Sequence, residues 1–107
     1  MAATLKDQVR RKLQVTWEKD EATEARIDEI IANAEQDLRD LLGIPEGEPF
    51  DFSKPSTENI LFLNHCWYER EGALDDFEKN YAMQIGRCRN KWMVKQYVEE
   101  QNSSSDV

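Results

Sequence analysis

Residues that carry chemistry are scarce in this chain of 107 amino acids. It has one histidine, His65, and two cysteines, Cys66 and Cys88. It has no glycine-rich phosphate loop, no nucleophile elbow and no zinc-ligand spacing. His65 lies in the apolar run LFLNHCWY. Metal sites need three or four convergent ligands, and helical neighbours such as His65 and Cys66 point about 100° apart. His65 therefore reads as a packed histidine with a local hydrogen-bond partner. Neighbouring carboxylates occur at Asp28/Glu29, Asp75/Asp76 and Glu99/Glu100. No helical Glu-x-x-His pair accompanies them, so they read as solvated faces. An enzyme is not expected, and neither is a cofactor or a metal.

Other absences narrow the class further. No apolar run approaches the roughly 20 residues of a membrane span. The start of the chain is polar and charged from Lys6 onward, which does not read as a signal peptide. Two lone cysteines build no secreted disulfide framework, and both fall in apolar helical patterns, so reduced core thiols are expected. These features point to a soluble cytoplasmic protein. No segment shows the alternation or the β-branched enrichment of a sheet. Net charge is −8, which argues against general nucleic-acid binding by phosphate neutralisation.

What is present is helical periodicity. The spacing of Leu5, Val9 and Leu13 predicts a helix over Thr4–Val15, capped by Thr4 with Asp7 three residues on. Ile27, Ile30, Ile31, Ala34, Leu38, Leu41 and Leu42 trace one face of a second helix. Thr23 or Asp20 would cap it, Gly43 would end it and Pro45 blocks its continuation. The stretch from Ile44 to Lys54 (IPEGEPFDFSK) is an irregular, proline-containing loop that Phe50 and Phe52 should pin to the core. A third helix starts near Ser53–Ser56 with Pro55 in its first turn. It is apolar around much of its circumference, which suits a central position. Gly72 marks a bend. A fourth helix covers Leu74 to Gln101, with Leu74, Phe77, Tyr81, Ile85, Cys88, Trp92 and, at its end, Val98 inward, and Gly86 as a weak or closely packed point. The expected fold is all-α: a small bundle of about four helices. One domain spans residues 1–101, and a disordered polar tail (NSSSDV) spans 102–107.

Charge is segregated by sign. Residues 18–51 hold twelve acids against three bases, whereas residues 87–95 hold four bases and no acid. The aromatics Trp67, Tyr68, Phe77, Tyr81, Trp92 and Tyr97 are many for so short a region. Trp67, Phe77 and Tyr81 suit a core. Trp92 and Tyr97 lie beside the basic run, an arrangement that suits an interface hot spot better than nucleic acid at this net charge.

Taken together, the helix RIDEIIANAEQDLRDLLG, the loop ending FDFSKP, the core ENILFLNHCWYER and the closing FEKNYAMQIGRCRNKWMVKQY resemble the head–tail connector (adaptor) proteins of tailed bacteriophages and their prophage relatives. The resemblance runs from about Leu5 to Gln101. It implies a small α-helical bundle that assembles into a ring, dodecameric in the finished particle, beneath the portal protein. That ring extends the DNA channel and offers a surface to a tail-completion or stopper protein. DNA passes through without sequence-specific binding. The implied location is the virion, and the host cytoplasm before assembly, with no membrane, activity or cofactor.

Ring closure needs two different complementary patches on each copy. The expected contact sets acids of the second helix (Asp28, Glu35, Asp37, Asp40) against Arg87, Lys91, Trp92, Lys95 and Tyr97 of the next copy. The alternative reading is a small helical regulator or adaptor that binds one protein partner without a ring. An acidic mimic of DNA is a third reading, which the basic stretch Arg87–Lys95 disfavours.

Overall fold

The computed structural model describes residues 4–13 and 21–105, with side chains as far as residue 101. Five α-helices follow one another among these residues, with no strand: α1 (Leu5–Leu13), α2 (Glu21–Leu42), α3 (Thr57–Arg70), α4 (Leu74–Asn80) and α5 (Ala82–Ser105). The all-α expectation holds, but the number of helices differs. The long final helix is broken at Tyr81, whose backbone N–H donates to the Phe77 carbonyl. Neither glycine nor proline marks the break. The Tyr81 ring lies against Phe77 (5.3 Å between centroids) and edge-on to Tyr68 (6.0 Å). The Phe77 contact is the local i, i+4 neighbour, whereas the Tyr68 contact is tertiary and no local pattern announces it. α5 also runs on to Ser105, four residues into the stretch read as a polar tail. Residues 106–107 lie outside the described residues, as do 14–15 at the expected end of the first helix.

Local chemistry explains the helix ends. Thr4 Oγ1 accepts the Asp7 N–H at 3.1 Å, the expected cap of α1. Thr23 falls inside α2 and so is not its cap, while Asp20 is outside the described residues. α2 closes with a Schellman turn. Gly43 takes φ +72°, and the N–H of the buried Ile44 reaches back to the Arg39 carbonyl at 3.0 Å. α3 begins at Thr57, at the late edge of the expected Ser53–Ser56 start. Ser56 is the N-cap, its hydroxyl accepting from the Asn59 N–H at 3.0 Å, so Pro55 precedes the helix.

α3 is the hub, touching all four other helices. Its Leu61, Phe62, His65 and Cys66 are buried against Val9 and Leu13 of α1, the Ile27–Leu42 face of α2, and Phe77, Ile85 and Trp92. The loop is pinned as expected. Phe52 is buried against Phe62, and Phe50 packs edge-on to both Phe52 (4.9 Å) and Trp92 (5.4 Å). Both cysteines are free and buried. No helix of the described residues is long and apolar enough to cross a membrane.

Two glycines give opposite tests of this backbone. A Cβ at Gly86 in α5 would meet nothing within 4 Å, so the residue is not a close-packing point. Gly86→Ala should raise stability by about 0.5–1 kcal/mol. Gly43→Ala should lower it by about 1–2 kcal/mol, because its left-handed conformation disfavours a side chain. Urea unfolding followed by far-ultraviolet dichroism measures both.

Candidate functional site

α5 is the element with most surface left over. Ile85, Cys88 and Trp92 repeat at helical spacing and face the core, and Trp92 is only 5% exposed. The helix is then tied at three places. Lys91 Nζ binds both oxygens of Glu58, at 2.9 and 2.7 Å. Lys95 Nζ sits 4.7 Å over the Trp92 ring and 3.3 Å from Glu48. Gln96 donates to the Gly43 carbonyl at 2.9 Å. Beyond Gln96, residues 97–101 are all exposed while the helix continues to Ser105. Nine residues of helix correspond to about 13 Å of length past the last tie.

The side of α5 opposite its core stripe is also apolar. Met83, Met93, Val94, Tyr97 and Val98 are large hydrophobic residues about half to two-thirds exposed, so Val98, expected inward, is not: it follows Gln96, the last tie of α5 to the body. Positions 83, 87, 90, 94 and 97 repeat at intervals of four and three, which sets them along one line of the helix. Arg87 and Asn90 interrupt that line, and Arg87 makes no ion pair among the described residues. Such a stripe is unusual on a small soluble body that stays alone.

The residues expected to form the interface are not all available. Trp92 is a core residue, because its ring fills the space between Phe50 and the α3 side, and so it is not a contact for another copy. Lys91 and Lys95 are engaged inside the chain with Glu58 and Glu48. On α2, Asp28 binds Lys6 at 2.9 Å. Glu35 lies 3.8 Å from Arg39, and Asp37 holds His65 at 2.6 Å. Asp40 accepts from Gln36 at 3.3 Å. The neighbouring Glu24 is clasped by both Lys6 and Arg10 of α1. The acidic face of α2 is thus largely answered by α1 and by its own helix. Of the nine residues, Arg87 and Tyr97 are exposed and have no such partner among the described residues.

One site residue was not foreseen. Glu58 is a carboxylate only 2% exposed, in the first turn of α3. The helix N-terminus favours its charge, Lys91 pairs with it, and the Cys88 thiol lies 3.8 Å away. In the sequence Glu58 looks like an ordinary first-turn acid, and only the packing of α5 reveals it. The outer stripe of α5 was legible in principle, since Met83, Val94 and Tyr97 keep helical spacing. A search for the inward face passes over it.

The arrangement offers little chemistry. His65 is buried beneath a shallow groove between α2 and α3. Asp37 occupies its Nε2, and its Nδ1 is buried with no hydrogen-bond partner among the described residues. Burial, and then the charge of Glu69, pushes the Cys66 thiol up to about 12. Burial and Glu58 likewise raise the Cys88 thiol. Thiols held protonated are poor nucleophiles. Among the described residues no three His, Cys, Asp or Glu side chains are placed to hold a metal ion. Comparison with family models, curated proteins and solved structures gives no match to this chain.

Two outcomes test this description. Lys91→Met leaves the Glu58 charge buried without its partner and should cost about 1–3 kcal/mol. Adding Glu58→Gln to that variant should recover part of the loss, giving a non-additive double-mutant cycle in urea. The second outcome concerns pH. An unfolded thiol titrates near 8.5, below the folded Cys66, so the unfolded chain sheds that proton first. The stability held by the thiol is complete below about pH 8.5 and falls as pH rises toward about 12. Cys66→Ala should make the alkaline decline shallower when urea midpoints are compared between pH 8 and 11.

Proposed function

We propose that this chain is a structural subunit of a head–tail connector, assembling into a ring beneath the portal of a tailed phage or prophage particle. The observation that carries the assembly role is the double-sided α5. One of its faces closes the core, and the other exposes Met83, Met93, Val94, Tyr97 and Val98 along a helix that extends past its last tie. A helix apolar on two sides belongs between two bodies. The sequence resemblance to connector proteins supplies the identity of the ring and its neighbours: the portal on one side and a tail-completion or stopper protein on the other. The subunit needs no cofactor and performs no catalysis. The sealed imidazole of His65 and the protonated thiols support that part of the reading.

An acidic chain also suits a DNA conduit. With a net charge of −8, the ring repels phosphates and lets the genome slide rather than adhere. The same exposed stripe would serve a small adaptor that binds one protein partner without a ring, and mass measurement separates the two. The purified chain, alone or mixed with portal oligomers, should give a closed multimer by native mass spectrometry and annular particles by electron microscopy. Val94→Asp should abolish the multimer while leaving the helical dichroism unchanged. A wild-type chain that stays monomeric at high concentration and on portal rings would reject the connector reading.

A further inference from the structure

Several charges make no ion pair among the described residues. On α5 these are Arg87 and Arg89, with Glu99 and Glu100 near its far end. At the corner between α3 and α4 they are Glu71, Asp75, Asp76 and Glu78, all exposed and none in an ion pair among the described residues. Lys79 is the one base in the stretch 71–79. The same corner ends a second apolar line. Ile60, Asn64, Trp67 and Glu71 follow one another at intervals of four, three and four, on the side of α3 away from its buried Leu61, Phe62 and His65. Ile60 is 56% exposed, and Trp67 is partly exposed.

We infer that the outer face of α5 docks antiparallel on this Ile60–Glu71 line of α3 in a second copy of the chain. The inference rests on the ring reading and names its contact. Each line sets apolar residues one step from a charge: Ile60 and Trp67 before Glu71 on α3, and Val98, Tyr97 and Val94 before Arg87 on α5, with Met83 one turn beyond Arg87. From Ile60 to Glu71, and from Val98 to Arg87, is the same eleven-residue step, about 16 Å of helix. Antiparallel alignment sets Val98 beside Ile60, Val94 beside Asn64 and Trp67, and Arg87 beside Glu71 and Asp75. Parallel alignment would instead place the guanidinium over Ile60 and strand the acids against Tyr97 and Val98. Parallel pairing of α5 with itself is disfavoured too, because it would set Arg87 and Arg89 of one copy beside those of the other. The two lines occupy different helices of the subunit, so the contact is heterologous. Repetition of such a contact gives a ring when the rotation closes.

A charge swap tests the pairing. Arg87→Glu alone, and Glu71→Arg with Asp75→Arg, should each abolish multimers in sedimentation velocity and on portal rings, with helical dichroism unchanged. Combining all three substitutions in one chain restores complementarity between copies and should restore the multimer. Failure of the combined chain to assemble would overturn the proposed register. Assembly of either reversed variant as wild type would overturn the contact while leaving the ring itself standing. A wild-type chain that never multimerises would overturn both, so the two failures are distinct.

Discussion

The orientation of α5 decides what this molecule presents to the outside, and the Glu58–Lys91 pair is the interaction that fixes it. α5 has two apolar sides. One is Ile85, Cys88 and Trp92; the other is Met83, Val94, Tyr97 and Val98. Apolar burial is non-directional and discriminates weakly between two such faces. A carboxylate buried at the start of α3 discriminates strongly. It is tolerated because the helix N-terminus and an ammonium answer it. Lys91 can do so only when the Trp92 side of α5 is turned inward. Trp92 then fills the space beside Phe50, Gln96 reaches the Gly43 carbonyl, and the second stripe is left facing solvent. A single buried charge thus acts as a register mark, at a desolvation cost that an apolar residue would not carry.

The helical frame was legible because each signal was local. The Ile27–Leu42 stripe, the left-handed Gly43, the Thr4 cap and the pinning of Phe50 and Phe52 all follow from spacing and residue type. The departures arise where distant segments decide. The chain breaks at Tyr81, where the ring meets Tyr68, thirteen positions earlier. Trp92 carries the features of both a core residue and a hot spot, and the sequence alone supports both; packing against Phe50 selects the first. Glu58 is indistinguishable from a solvated first-turn acid until Lys91 is brought beside it from 33 positions away. Charge segregation along the chain was real, yet it did not translate into segregation on the surface. Lys6 and Arg10 fold back onto Glu24 and Asp28, and Lys95 onto Glu48.

That internal cancellation changes how the charge of the chain should be understood. Linear sign blocks suggest that α2 of one copy seeks the basic run of another. In the folded chain most α2 acids already have partners: Glu24 and Asp28 from α1, Glu29, Glu35 and Asp40 from within α2, and Asp37 from His65 of α3. Most of these pairs are solvated and contribute little stability individually. Their effect is to remove α2 as a strongly directional anionic surface. Among the charges that keep no ion pair in the described residues are two arginines on α5, two acids near its far end, and four acids at the α3–α4 corner.

Residual charges of this kind act differently from the apolar stripes they flank. Val94, Tyr97 and Val98 supply area removed from water, which is insensitive to direction and only weakly dependent on salt. Arg87 and the corner acids supply sign, which sets direction and weakens as ionic strength rises. An assembly built on both needs only modest strength from each. In the proposed contact the apolar end holds the copies together, and the charged end decides which way round they meet. Under that proposal each copy supplies both the α5 line and the α3 line, and α3 is the hub that also carries Glu58, the partner of Lys91 on α5. The geometry of the proposed contact therefore depends on the same buried pair that turned the stripe outward. A change at Glu58 would disturb the proposed interface without touching it.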